Sequence, residues 1–274
     1  MKLDMNRAWT DALGLIQANF GVVSVIAGVF FFLPYLAFVL LMPDMATSMN
    51  FEPSEDPSVA MEQLTALYGE IWWAILLIAV TQTIGTLALL ALLQSEDRPT
   101  VGQAIGIGAI GFLTYFVATL VAYVGFGILG GLLFGVAVAS QITALAVIVG
   151  LIVFIAIVYI AIKFSLLTPV IAIDKVFNPF KALARSWRLT KGNSLRILAF
   201  FFLLIVAAVV ISVVLGLLVT LIFGLAGPEI SAIGVGLFNA VLNAVYVVLM
   251  LGVLAAIHRQ LATPETEPAD ETFE

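Results

Sequence analysis

Long apolar runs alternate with short polar breaks along this chain, and that alternation predicts six membrane-spanning helices. The runs cover about 20–42, 71–93, 112–134, 141–162, 198–223 and 233–257. Each is long enough, at 1.5 Å per residue, to cross a hydrocarbon layer of about 30 Å. Pro34 interrupts the first run, and a neighbouring helix is expected to satisfy the carbonyl it frees. Trp72 and Trp73 open the second at the depth of an aromatic belt. Gly127, Gly131 and Gly135 recur at steps of four in the third, a ridge expected to admit another helix closely. The fourth continues through Lys163 and Pro169 toward Asp174, with Lys163 expected to snorkel outward.

The polar breaks differ in kind. Residues 43–70 are acidic, irregular around Pro53 and Pro57, with a short helix expected over Met61–Tyr68. Thr100-Val-Gly-Gln103 is a capping box, and the small residues after it predict an interfacial segment over about 100–111. A weakly amphipathic stretch, about 3–17, precedes the first span. A tight turn at Gly227-Pro228-Glu229 precedes the sixth. Residues 263–274 are acidic and nearly without apolar side chains, which predicts a disordered tail after a transmembrane domain of residues 1–262.

The most basic break, Asn178 to Asn193, predicts a complete short helix over about 178–192. Asn178 suits the N-cap, Pro179 the first turn, and Gly192 the left-handed residue that ends it. Phe180, Leu183 and Trp187 fall on one face, with Lys181, Arg185 and Arg188 roughly opposite. Such a helix lies in a bilayer interface with its cations toward anionic head groups. Lys181, Arg185, Trp187, Arg188 and Lys191 are therefore the candidate contacts to anionic lipid, or to a membrane or cytoplasmic protein partner.

Composition fixes the class. Hydrophobic residues make up 63% of the 274 and charged residues 10%, too little polar surface for a soluble globule. The net charge of −6 conceals a separation of signs. All 11 Lys and Arg precede span one, lie between spans two and three or four and five, or follow span six. The other loops carry Asp44, Glu52, Glu55, Asp56, Glu62, Glu70 and Glu229. By the positive-inside rule both termini are cytoplasmic, in the bacterial inner membrane. Asp4 and Asp11 near the start argue against a cleavable signal peptide. No basic nucleic-acid surface is expected.

A weaker pattern repeats. Arg7-Ala-Trp9 stands twelve residues before Asn19, Lys181-Ala-Leu183 twelve before Asn193, and Gln103-Ala-Ile105 leads the third span. The alternatives are chance similarity and three repeats, each an interfacial helix feeding a transmembrane hairpin.

Candidate chemistry is sparse. The chain has no Cys, and its one His, His258, reads as a terminal cation answering a helix dipole. No catalytic residue, metal site or cofactor is expected. Gln82, Tyr159, Asn239, Asn243 and Tyr246 form a candidate intramembrane polar cluster, either holding helices together or lining a substrate path among spans two, four and six. No acid lies near the middle of a span, which weakens the case for ion-coupled transport.

The run Pro179-Phe-Lys-Ala-Leu-Ala-Arg-Ser-Trp-Arg-Leu-Thr-Lys-Gly192, preceded by Pro169 and Asp174, resembles a motif of one bacterial group. That group is the six-helix membrane domain which some glycerophosphodiester phosphodiesterases carry ahead of their catalytic barrel, with its stand-alone relatives of unassigned function. Phe31-Phe-Leu-Pro34 and Arg98-Pro-Thr-Val-Gly-Gln-Ala104 look like the same group. The resemblance implies a fold rather than an activity. Without the barrel's histidines and carboxylate metal site, a non-enzyme is expected. A scaffold or partner protein in membrane and envelope maintenance is the leading expectation, with a transporter or lipid-handling protein as the alternative.

Overall fold

The computed structural model describes residues 2–41, 57–94, 100–225 and 227–262. The expectations for residues 43–56, 95–99 and 263–274 lie outside them. All regular structure among the described residues is helical: α1 Met5–Ala18, α2 (20–41), α3 Pro57–Gln94, α4 Val101–Ala139, α5 Thr143–Lys163, α6 Leu167–Ala172, α7 Pro179–Leu189, α8 Ser194–Gly224 and α9 Pro228–Ala262. Six helical segments are long and apolar enough to cross a membrane: Phe20–Leu40, Ile71–Leu93, Val101–Ala139, Thr143–Ala172, Ser194–Gly224 and Ile230–Ala262.

Two boundaries differ from the sequence reading. The Met61–Tyr68 helix is no separate element, because α3 runs unbroken from Pro57, which occupies a first-turn position where its missing N–H costs nothing. The 100–111 segment is likewise continuous with its span. Thr100 and Gln103 form the expected capping box, but nothing after it breaks the helix, so α4 extends 39 residues, about 58 Å. One face of its opening turns is buried, through Ala104, Gly108, Gly111, Thr114 and Ala118.

The core sits at the end of the bundle that holds α1 and α7. There the closing turns of α3 (Leu87–Leu90), α6 (Val170, Ile171) and the second half of α9 (Leu251, Ala255) pack around Ile26 and Phe31 of α2. The far halves of α4, α5 and α8 present Leu, Ile, Val and Phe outward, as lipid-facing helices do.

Small residues permit the closest approaches, though not the predicted ones. A Cβ on Gly108 would lie 2.5 Å from the Ile84 carbonyl oxygen and 3.3 Å from Ala88 N, so α4 rests directly on the α3 backbone. Gly127, Gly131 and Gly135 instead have nothing within 4 Å, so the expected packing ridge is exposed. Spacing alone could not tell a lipid-facing stripe from a packed one.

Pro34 is accommodated by widening the helix. Gly28–Phe32 forms a π-helical turn, with Leu33 N donating to the Gly28 carbonyl. Across the bundle, Asn243 Nδ2 of α9 donates to the Phe31 carbonyl at 3.3 Å. A neighbouring helix thus supplies a donor to the distorted turn.

Three segments begin alike. Asp4 accepts from Arg7 N, Thr100 from Gln103 N and Asn178 from Lys181 N. One turn on, Ala8, Ala104 and Ala182 are each 0% exposed, and Ala12, Gly108 and Ser186 follow them at the next turn, also buried. Asn19 (φ −119°, ψ 18°) and Asn193 (φ −117°, ψ 1°) share one backbone conformation where α2 and α8 start. Each small-residue face meets the close of another hairpin: α1 meets α9 at Gly252, α4 meets α3, and α7 meets the end of α5.

Candidate functional site

Among the described residues, a group of polar side chains gathers where α1, α7, α9 and the loop after α6 meet. Asn178 caps α7 by accepting from Lys181 N at 3.0 Å, and Pro179 follows at the first position. The helix ends at Leu189 with Thr190 as its cap, and Gly192 takes φ 81° in the turn beyond. Its buried side is Ala182, Ser186 and Thr190, not the predicted apolar triplet. Leu183 and Trp187 do pack inward, but Phe180 is 64% exposed. The reason is local chemistry. Lys163 closes α5 and leaves a carbonyl without an intrahelical donor. Ser186 Oγ donates to it at 2.9 Å, and Thr190 Oγ lies 3.4 Å away. A hydroxyl on α7, that of Ser186, therefore caps α5 from outside.

Lys163 does not snorkel. It is 3% exposed, and its Nζ lies 5.4 Å from the Tyr159 ring centre and 5.3 Å from that of Trp187. The rings stand edge to face, 5.9 Å apart, and Phe164 packs on Trp187. Cation–π attraction of this kind contributes roughly 0.5–2 kcal/mol, more as the site dries.

Asp174 is the hub of the site. Its Oδ2 accepts from Arg185 Nε and lies 3.1 Å from His258 Nε2. Burial pushes the Asp174 carboxyl upward, but hydrogen bonds from His258 and Arg185, with their charges, outweigh it and hold the group below the usual carboxylate value. His258 is 2% exposed, and its Nδ1 has no hydrogen-bond partner among the described residues. From the closing turns of α9 it makes a specific pairing with Asp174 that the sequence reading did not include.

The termini of the described chain are sewn into the same region. Leu3 N donates to Asn193 Oδ1 at 2.9 Å, and Arg196 donates to the Leu3 carbonyl. Asp4 N donates to Gln260 Oε1, while Gln260 Nε2 donates to the Asp4 carbonyl. Asp11 pairs with Arg259 at 2.7 Å and sits 3.9 Å from Arg7.

The predicted basic residues separate by role. Lys181, Arg188 and Lys191 are exposed, Arg185 is half-buried against Asp174, and Trp187 belongs to the Lys163 cage. The intramembrane five are dispersed: among the described residues no hydrogen bond joins one to another. Asn243 serves Phe31, Tyr246 donates to the Ala208 carbonyl at 2.9 Å and lies 2.8 Å from Ser212 Oγ, and Tyr159 packs on Trp187. Asn239 is exposed and Gln82 half-buried. Sequence reasoning gave no role to Ser186, Thr190 or Asn193. One signal was available for Asp174: a lone acid just ahead of a cluster of cations invites pairing.

Six apolar spans closed at one end by a polar knot define a multi-pass helical membrane protein. The chain matches the membrane domain of glycerophosphoryl diester phosphodiesterase over residues 63–263, and it belongs to that family. No curated protein and no solved structure matches it.

Proposed function

We propose that the protein is a non-catalytic scaffold of the bacterial inner membrane, with both termini cytoplasmic, acting in membrane or envelope maintenance through protein partners. The observation carrying this reading is the confinement of all 11 Lys and Arg to one side of the spans, with acids on the other. Lys181, Arg188 and Lys191, exposed on or just after α7, are then positioned for anionic head groups or an acidic partner. A non-catalytic role is supported by the sparseness of candidate chemistry, with one His and no Cys in the sequence. Scaffolding is favoured over transport because Asn243 and Tyr246 bond to neighbouring helices rather than to a shared path. The bundle is read as three repeats, each an amphipathic or capped helix leading a hairpin.

Native mass spectrometry of the protein extracted with lipid tests the function. A partner protein retained in fixed ratio is expected; solute or lipid flux through vesicles holding the isolated chain would overturn the reading. Orientation is tested separately by thiol labelling, since the chain has no Cys background. In intact cells Ser140→Cys, beyond α4, should label with an impermeant reagent, and Lys175→Cys should not.

A further inference from the structure

Beside α7 the chain forms an open recess of about 320 Å³, lined by Arg185, Arg188, Leu189, Lys191, Asn193 and Leu261. Three of these six carry positive charge. Arg185 is fixed by Asp174 through its Nε, so its guanidinium is held rather than swinging free. Arg188 and Lys191 make no ion pair among the described residues. With the Asp174 carboxylate set against Arg185, the lining keeps a net positive charge.

The backbone reinforces this sign. Asn193, which precedes α8, lines the recess, so the positive end of that helix dipole lies beside it. The opposing negative end of α7 is muted, because its last carbonyls are occupied. Thr190 N and Oγ donate to the Ser186 carbonyl, Lys191 N to that of Arg188, and Ser194 Oγ to that of Thr190. Leu189 and Leu261 supply an apolar wall. The volume falls at the small end of the roughly 300–1,000 Å³ of ligand pockets, suited to a head group and not to a whole lipid.

We infer that this recess is a binding site for a phosphate ester, held by the guanidinium groups of Arg185 and Arg188 and the Lys191 ammonium, with the ester's carbon skeleton against Leu189 and Leu261. Arginine suits this ligand because its planar fork matches two phosphate oxygens. The phosphate belongs either to an anionic lipid head group or to a soluble ester, and the inference rests on the placement of this end at the membrane surface proposed above.

The test uses the full chain in phosphatidylcholine nanodiscs doped with phosphatidylglycerol, with retained lipid counted by native mass spectrometry. Arg188→Gln combined with Lys191→Gln should cut retained phosphatidylglycerol about ten-fold or more, the scale of a lost charge-assisted contact. Arg188→Lys with Lys191→Arg, which keeps both charges, should retain most of it. Lys181→Gln removes a charge from the same helix outside the recess and should change little, and Arg188→Gln alone, its one-charge match inside the recess, should lower retention more than Lys181→Gln does. In undoped discs, glycerol 3-phosphate and inorganic phosphate are titrated instead. Binding of these that the Gln pair abolishes assigns the site to a soluble ester; retention of phosphatidylglycerol alone assigns it to lipid. Equal losses from Lys181→Gln and the Gln pair, or no binding of any phosphate species, overturn the inference. Lost phosphate binding with intact partner capture sinks this site alone, and the converse sinks the scaffold alone.

Discussion

His258 Nε2 lies 3.1 Å from Asp174 Oδ2, joining the last turns of α9 to the loop that leads into α7. Arg185 reaches the same oxygen from α7. One carboxylate therefore ties α7 and the loop before it to the end of α9, 84 residues further along the chain. The loop is shaped for it: Lys175, the next residue, takes φ 53°, a left-handed conformation costing roughly 1 kcal/mol for a residue other than glycine.

Asp174→Asn should destabilise the fold by about 2 kcal/mol, because two charge-assisted hydrogen bonds in a half-buried setting become neutral ones. The pH dependence follows from the lowered Asp174 value. Above the ordinary 3.8 the carboxylate is ionised in folded and unfolded chains alike, and its contribution is complete. As pH falls below 3.8 the unfolded chain takes up the proton first, and the contribution is lost through the folded-state value. Thermal unfolding in detergent should show Asp174→Asn lowering the midpoint at neutral pH and narrowing the wild type's acid-side decline. An unchanged midpoint would mean that Asp174 holds nothing.

Glycines on α4 should divide by contact rather than by pattern. Gly108→Ala drives a Cβ to within 2.5 Å of the Ile84 carbonyl oxygen, a backbone atom that cannot swing aside. A loss of about 1–3 kcal/mol is expected, the range for overpacking. Gly131→Ala, with nothing within 4 Å, should be neutral or slightly stabilising. Resistance to unfolding in a graded detergent series ranks the two.

That contrast marks what the sequence could reveal. Six spans were legible because an apolar run of twenty residues needs no tertiary information to be recognised. The start of α7 was legible because Asn178 and Pro179 act on their own turn. Faces were not. Gly127, Gly131 and Gly135 carry the spacing of a packed ridge yet look outward, whereas Gly108, in the turns after Thr100, packs on the α3 backbone. Pairings at long range were hidden too: Asp174 with His258, 84 residues apart, and Asn193 with Leu3, 190 apart, depend on how the hairpins close. Lys163 looked like a snorkelling cation because its aromatic cover, Trp187, comes from another element.

Asn243→Ala removes the donor that reaches the Phe31 carbonyl in the π-helical turn. Hydrogen bonds between membrane helices are worth about 1 kcal/mol, and a loss of that size is expected. Pro34→Ala restores an N–H just after that turn and should let it relax toward a regular helix. The Asn243→Ala loss should then shrink in the Pro34→Ala background. Additive effects in the double-mutant cycle would show that proline and asparagine act independently.

The repeat reading makes the most connected prediction. If three units are built alike, Ala8, Ala104 and Ala182 are one structural position used three times. Each is 0% exposed, and each follows the residue whose N–H bonds the cap. Replacing any of them by Leu forces extra methyl groups into a filled interior, and a loss of about 1–3 kcal/mol is expected at all three. Leu at Thr10 or Lys181, exposed residues near two of these positions, should be tolerated. The measurement is one unfolding midpoint per variant, taken in the same detergent. Comparable losses at the three alanines, together with tolerance at the exposed pair, support a common unit. If Ala104→Leu is tolerated while Ala8→Leu and Ala182→Leu unfold the protein, α4 starts by a different rule and the threefold reading fails.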